Sequence, residues 1–163
     1  MRTARESGRL RLRTTTSGDL PFLLRLYAST RVEELDLTDW DAATRAAFVE
    51  MQFRAQRTHY LTHFPDAQCD VVELEGIDIG RLYVRRSGSD IVLMDIALLP
   101  AYRSAGIGSE LLRALLNEAS SSGRAVVLHV EANNPRAHDW YQRSGFVDVS
   151  SSGVHTLMRR DPA

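Results

Sequence analysis

The sequence predicts an α/β fold of the α+β kind: one domain over residues 1–163, with a mixed, mostly antiparallel sheet of six to seven strands flanked by about four helices. Three observations predict it. First, the apolar run Ile91 to Leu99 leads into a glycine-bearing stretch, Arg103-Ser104-Ala105-Gly106-Ile107-Gly108, and an amphipathic helical pattern, Ile107 to Ala119, leads out. Second, another apolar run, Val126 to Val130, follows that helix. A strand reached by a helical crossover runs parallel to its predecessor. Third, short apolar runs come in pairs around turn residues, the pattern of hairpins.

The elements follow in chain order. Residues 1 to 9 are polar and basic and read as a flexible tail. Leu10 and Leu12 alternate with Arg11 and Arg13, a period of two that fits an edge strand. Asp19 is placed to cap a helix with Pro21 in its first turn, and Phe22, Leu23, Leu26 and Tyr27 supply its apolar face to about Arg31. Val32 to Asp39 reads as an acidic connection. Asp39 or Asp41 then caps a second helix, Ala42 to about His63, with Ala46, Ala47, Val49, Phe53 and Tyr60 among its apolar positions and Pro65 beyond its end.

Cys69 to Leu74 and Ile77 to Val84 form a hairpin about Glu75-Gly76, and Ser87-Gly88-Ser89 breaks the chain before the central strand. That strand is apolar almost throughout, which predicts burial on both faces. In the helix after the glycines, Ile107, Leu111, Leu115 and Ala119 make a stripe for the sheet, and Ser120 to Gly123 stop it. Pro135 opens a short helix to Ser144. Phe146 to Val149 and Val154 to Met158 close the chain as a hairpin about Ser151-Ser152-Gly153.

Composition excludes several classes. A chain of 163 residues, 44% hydrophobic, is enough for one buried core of ordinary size. A net charge of −1 gives no general attraction to nucleic acid or to an anionic membrane. No apolar run reaches the ~18 residues of a membrane span. The N-terminal stretch lacks the apolar centre of a secretory signal. One cysteine, Cys69, allows no internal disulfide and fits a reducing compartment, so the expectation is a cytoplasmic protein. All 20 basic residues are arginine, as in high-GC bacterial genomes.

A strand that ends in a glycine turn and opens a helix gathers free backbone N–H groups at the positive end of a helix dipole. Glycines let an anion approach the backbone, and Arg103 adds a permanent cation. This reads as a phosphate cradle. A triphosphate loop needs Gly-Lys-Ser/Thr, and the chain has no lysine. A dinucleotide loop needs a third glycine where Leu111 stands. A tight turn that holds no ligand is the plain alternative.

Arg-x-x-Gly-x-Gly between strand and helix resembles the coenzyme A loop of the GNAT (Gcn5-related) N-acetyltransferase superfamily. The likeness continues through Asp95 to Arg103, Leu128-His129-Val130, Asn134-Pro135-Arg136-Ala137, Trp140-Tyr141 and Ser144-Gly145-Phe146, in the family's order. It covers about residues 71 to 160, and more loosely the chain from Leu10. The resemblance implies a GNAT-type fold and an acetyl-CoA-dependent N-acetyltransferase that moves an acetyl group directly to a primary amine. Acetyl-CoA and the amine are the implied partners, with no metal. A homodimer is compatible with it, although no feature of the sequence specifies one.

The same resemblance distributes the roles. The backbone of Arg103 to Gly108 holds the diphosphate, with the Ser109 side chain in reach. The backbone of Ile96, Ala97 and Leu98 runs beside the pantetheine arm, and an N–H near Leu98 or Leu99 receives the developing oxyanion. Tyr141 matches the tyrosine near the cofactor sulfur. A phenol, with an ordinary pKa of about 10, can give its proton to a departing thiolate of about 8.5. The alternative is a helix tyrosine packed beside Trp140. Asn134 matches an asparagine that bonds the pantetheine arm, or is a turn residue of Asn-Asn-Pro.

The general base has three carboxylate candidates: Asp95, which interrupts an apolar strand and must find a partner or face the substrate; Glu131, just past the fifth strand; and Glu73. Each is otherwise a solvated or ion-paired structural residue, and an ordered water chain would also serve. Some polyamine acetyltransferases of the family carry adjacent Glu-Asp where this chain has Met94-Asp95, which speaks against polyamines. His59 and His63 have a metal-pair spacing but no third ligand. His129 reads as a sheet residue. Glu33, Glu34 and Asp36 form an acidic patch, either solvated surface or a lure for a cationic amine. A non-catalytic acyl-CoA-binding domain of the same fold is the competing reading.

Overall fold

The structure, a computed structural model, describes residues 9–163. The flexible tail expected over residues 1–9 lies outside the described residues except for Arg9, whose carbonyl accepts the Glu75 N–H at 2.8 Å. Seven strands form one sheet: β1 (Leu10–Thr14), β2 (Gln68–Leu74), β3 (Ile77–Arg85), β4 (Ile91–Leu98), β5 (Val126–Glu131), β6 (Val147–Ser151) and β7 (His155–Arg160). Their order is β1-β2-β3-β4-β5-β7-β6. The helices are α1 (Leu20–Thr30), α2 (Val32–Leu35), α3 (Ala42–His63), α4 (Ile107–Ser121) and α5 (Pro135–Arg143). The predicted mixed sheet is present: β4 and β5 pair in parallel, with Ile91 opposite Val126, while β1–β2, β5–β7 and β6–β7 are antiparallel.

The chain divides into two compact units. The first runs to Tyr83 and includes Asp95–Gly108. Its core gathers Phe22, Leu23, Leu26 and Tyr27 from α1 with Phe53 of α3 and Val71 of β2. Leu23 and Leu26 are almost wholly excluded from water. Burying a side chain of that size stabilises by about 1.5–3 kcal/mol. The Asp41 side chain caps α3 by accepting the Thr44 N–H at 2.7 Å. The second unit comprises Val84–Met94 and Ser109–Ala163. There Leu111, Leu112, Leu115, Leu116 and Ala119 form the buried stripe of α4, and Ile91, Val126, Leu128 and Met158 are among the buried residues of its strands.

Three expectations need correction. Residues 32–35 form a short helix where an open connection was expected. Asp19 occupies the position before α1, but its carboxylate does not cap that helix. It turns back to accept the Thr16 N–H at 2.8 Å and two contacts from Arg13. The β4 run is not buried on both faces. Ile91 and Leu93 are buried, but every residue from Met94 to Leu98 is half-exposed. Apolarity alone does not distinguish a strand covered by its own protein from one that lines an opening.

Candidate functional site

In the first unit, β4 ends in a single 3-10 turn, Pro100–Tyr102, with proline at its start. The chain then enters the stretch from Arg103 to Gly106, which is exposed throughout. Ser104 and Gly106 take left-handed backbone angles, φ +60 and +83. That alternation points successive amides to one side, the arrangement that binds anions. A Cβ built on Gly106 would meet nothing within 4 Å, so glycine serves the backbone angle and leaves the space above it open. Among the described residues of this unit, no main-chain acceptor takes the amides of Ser104, Ala105 or Gly106.

The Arg103 side chain does not project into this turn as a loose cation. Its Nε donates to the Leu98 carbonyl at 2.9 Å, and Nη2 lies 3.3 Å from Ser29 Oγ. It ties the end of β4 to the last turn of α1. Leu99 is removed from the expected oxyanion role, because its N–H already donates to the Ile79 carbonyl at 2.8 Å. Ile96, Ala97 and Leu98 sit on the half-exposed end of β4. Gly80 on β3 makes that packing possible: a Cβ there would fall 2.3 Å from the Ala97 carbonyl oxygen.

Asp95 finds a partner. Arg81 Nε donates to Asp95 Oδ2, and Arg81 Nη2 donates to Gln56 Oε1 at 3.0 Å. The Arg81 side chain is 5% exposed and that of Asp95 25%, so the cation is sealed in and the anion reaches the surface. The guanidinium lies over the Tyr83 ring at 4.9 Å and near that of Tyr27 at 5.8 Å, contacts that favour a desolvated cation. Burial is the largest single influence on Arg81 and lowers its pKa, but the charge and hydrogen bond of Asp95 together with the Tyr83 and Tyr60 phenols outweigh it and hold the guanidinium above its ordinary value. Burial, followed by the charge of Asp95, pushes the Tyr60 phenol well above its usual range. Burial also raises Tyr83 and the Cys69 thiol. These groups stay neutral near pH 7.

Arg81, Gln56 and Tyr83 were not singled out from the sequence. A signal existed: Arg81 and Asp95 each interrupt an apolar strand, and each lies seven residues from Gly88 in the turn between them. Three other carboxylates of this unit are also engaged. Glu73 pairs with Arg13 at 3.0 Å, Glu34 with Arg31 at 3.0 Å and Asp36 with Arg45 at 2.8 Å. The rings of His59 and His63 stack 4.3 Å apart. Among the described residues, no group of three or more His, Cys, Asp or Glu could hold a metal.

In the second unit, Tyr141 is 9% exposed and packs between Trp140, at 4.9 Å, and Phe146, at 5.5 Å between ring centres. Asn134 caps α5, its Oδ1 accepting the Ala137 N–H at 3.2 Å. Proline at the first helical position completes that start. Ser109 Oγ lies 3.4 Å from Trp140 Nε1. Glu131 ends β5 opposite His155, and its carbonyl accepts the Asn134 N–H at 3.0 Å. His129 is exposed, its ring 6.5 Å from that of His155.

Comparison with known proteins gives a consistent picture. The model of the acetyltransferase (GNAT) family matches residues 30–146. N-alpha-acetyltransferase 50 of Danio rerio is 36% identical over 75 residues, 45% of this chain and 44% of that protein. The match therefore spans less than half the relative's length. Among solved structures, the PaiA N-acetyltransferase of Thermoplasma acidophilum in complex with coenzyme A has a TM-score of 0.71 at 15% identity, covering 93% of this chain and 98% of that one. Naa50 of Arabidopsis thaliana, in complex with the bisubstrate analogue CoA-Ac-MVNAL, has 0.60 at 17%, covering 94% and 99%. A spermidine N-acetyltransferase SpeG chimera from Vibrio cholerae and hSSAT has 0.61 at 20%, covering 94% and 95%. At these identities the structural likeness is one of fold.

Proposed function

The chain belongs to the acetyltransferase (GNAT) family, and from that premise we propose that it moves an acetyl group from acetyl-CoA directly to a primary amine of a small molecule or peptide. The observation that carries this reading is the exposed turn 103–106, with two left-handed residues and unclaimed amides at the mouth of α4. Its amides and those at the start of α4 would hold the diphosphate. Arg103 would fix the turn through the Leu98 carbonyl and Ser29, and not by gripping phosphate itself. The name of the Danio rerio relative speaks for an α-amine acceptor, which we take as the preferred peptide case.

The chain's residues then divide the work. The Leu98 amide is the proposed oxyanion donor, since that of Leu99 is spent in the sheet. A base removes one ammonium proton, the amine nitrogen bonds the acetyl carbon, and the carbon–sulfur bond breaks. Tyr141 supplies the proton the departing thiolate needs. Asp95 and Glu73 are committed to arginines, and an ordered water chain is the proposed base. A cytoplasmic setting is part of the proposal, in keeping with the free Cys69.

The commitment of those two carboxylates also favours a second reading, a domain that binds acyl-CoA without turnover. A thiol-release assay over an amine panel, beside calorimetry with coenzyme A, separates them. Turnover with any amine supports the enzyme; binding without turnover supports the sensor. Tyr141→Phe is expected to lower kcat by about 10²–10⁴-fold, the usual range for general acid–base catalysis, while coenzyme A affinity stays within twofold. Unchanged kcat would remove Tyr141 from the mechanism.

A further inference from the structure

We propose that Arg81 is a specificity-determining residue: by neutralising Asp95 it makes the acceptor a monocationic amine and rejects polyamines. The proposal rests on the reading above: with the Leu98 amide as oxyanion donor, the amine must reach the acetyl carbon beside the end of β4. The fold itself does not choose the acceptor. Solved structures with closely similar TM-scores include one bound to an analogue ending in MVNAL and one named a spermidine N-acetyltransferase.

The charges on this chain do choose. A polyamine carries further ammonium groups, and a site that prefers it must offer carboxylates not already spent on internal cations. Asp95 is the acid on β4, and its Oδ2 is taken by Arg81. That arginine is buried, bonded to Gln56 and seated on Tyr83, so it cannot swing away when a substrate enters. In the acidic patch Glu34 meets Arg31 and Asp36 meets Arg45, while Glu33 is exposed to solvent. The residues that follow Asp95 on β4, Ile96, Ala97 and Leu98, are apolar, and Ala97 packs on the core of this unit. One ammonium can meet the remaining carboxylate oxygen. A second ammonium would find no other carboxylate on β4 and would lie within the field of a permanent cation.

The test compares spermidine and 1,4-diaminobutane with n-butylamine and a peptide with an apolar first residue. Thiol release from acetyl-CoA is read as separate kcat and KM, with thermal melting and coenzyme A calorimetry on every variant. Wild type is expected to favour the monoamines in kcat/KM by at least tenfold. Arg81→Gln uncovers the Asp95 charge and should shift that ratio about tenfold toward the polyamines, through KM, since hydrogen bonds to a charged group are stronger than neutral ones. Arg81→Lys should keep the wild-type ratio. The double variant Arg81→Gln/Asp95→Asn, which leaves no buried charge unpaired, should restore it. A purely structural Arg81 would alter melting and kcat for all amines alike and leave the ratio still. Wild type that prefers spermidine, or an Arg81→Gln ratio equal to wild type in folded protein, overturns the proposal. Coenzyme A binding with no turnover of any amine overturns the enzymatic reading beneath it as well, and no coenzyme A binding overturns the turn assignment.

Discussion

The Asp19 carboxylate meets the Arg13 guanidinium at 2.8 and 2.9 Å and also accepts the Thr16 amide. Arg13 first, and then that amide, lower its pKa from 3.8 to about 2. The folded value lies below the unfolded one. The stabilisation is therefore complete above about pH 5 and is lost as pH falls through 4 toward 2. It amounts to about 2 kcal/mol. Asp19→Asn should lower stability by about that much at pH 7 and by almost nothing near pH 2, as read by urea unfolding at both. Sequence placed this residue correctly, one position before the helix. It could not show that Arg13, on a strand, would outbid the helix for the carboxylate. A second residue sets a steric limit. Gly80→Ala would drive a methyl to within 2.3 Å of the Ala97 oxygen, which is backbone and cannot step aside. We expect a loss of more than 2 kcal/mol, measured by thermal or urea unfolding, together with weakened coenzyme A binding; a melt within 1 °C of wild type would refute the close approach.

Among the elements, β3 and β4 taught most. Their apolar character was plain in the sequence, and so was the turn at Ser87-Gly88-Ser89. The charge pair was equally legible, since an arginine and an aspartate each seven residues from Gly88 face one another across a hairpin. It was missed because each charge was weighed alone. The half-exposure of β4 was not legible, because burial depends on what covers a strand and composition reports only what it is made of. For α3 the difficulty was the reverse. Its apolar residues point all round the helix, and only Val49 and Phe53 are buried. On β2, Cys69 is half-buried, and burial first, then the charge of Asp70, raises its thiol pKa. Alkylation by iodoacetamide at pH 8 should run well below the rate of a free cysteine and approach it in urea. Equal rates in native and unfolded protein would contradict this.

Across the whole chain, the strand–turn–helix–strand core and the number of strands were readable because local period and turn chemistry specify them. The order β5-β7-β6 was not, because it records which distant segment pairs with which. The candidate site divides the same way. The main-chain turn could be found from its glycines and arginine, and it lies within the residues 30–146 that match the family. The ion pairs of the first unit are mixed: Arg31–Glu34 lies within one helical turn, whereas Arg13 reaches Asp78, 65 residues away, a separation no local pattern encodes. The central claim is that amides between residues 103 and 108 hold the diphosphate of a CoA thioester. Calorimetry with coenzyme A and with pantetheine, which lacks the diphosphate, tests it most directly. The account predicts that coenzyme A binds at least a hundredfold more tightly than pantetheine, and that Gly106→Val, strained at φ +83, removes most of that difference in a protein that still folds. Equal affinity for the two ligands, or a Gly106→Val variant that keeps the full preference, would contradict it.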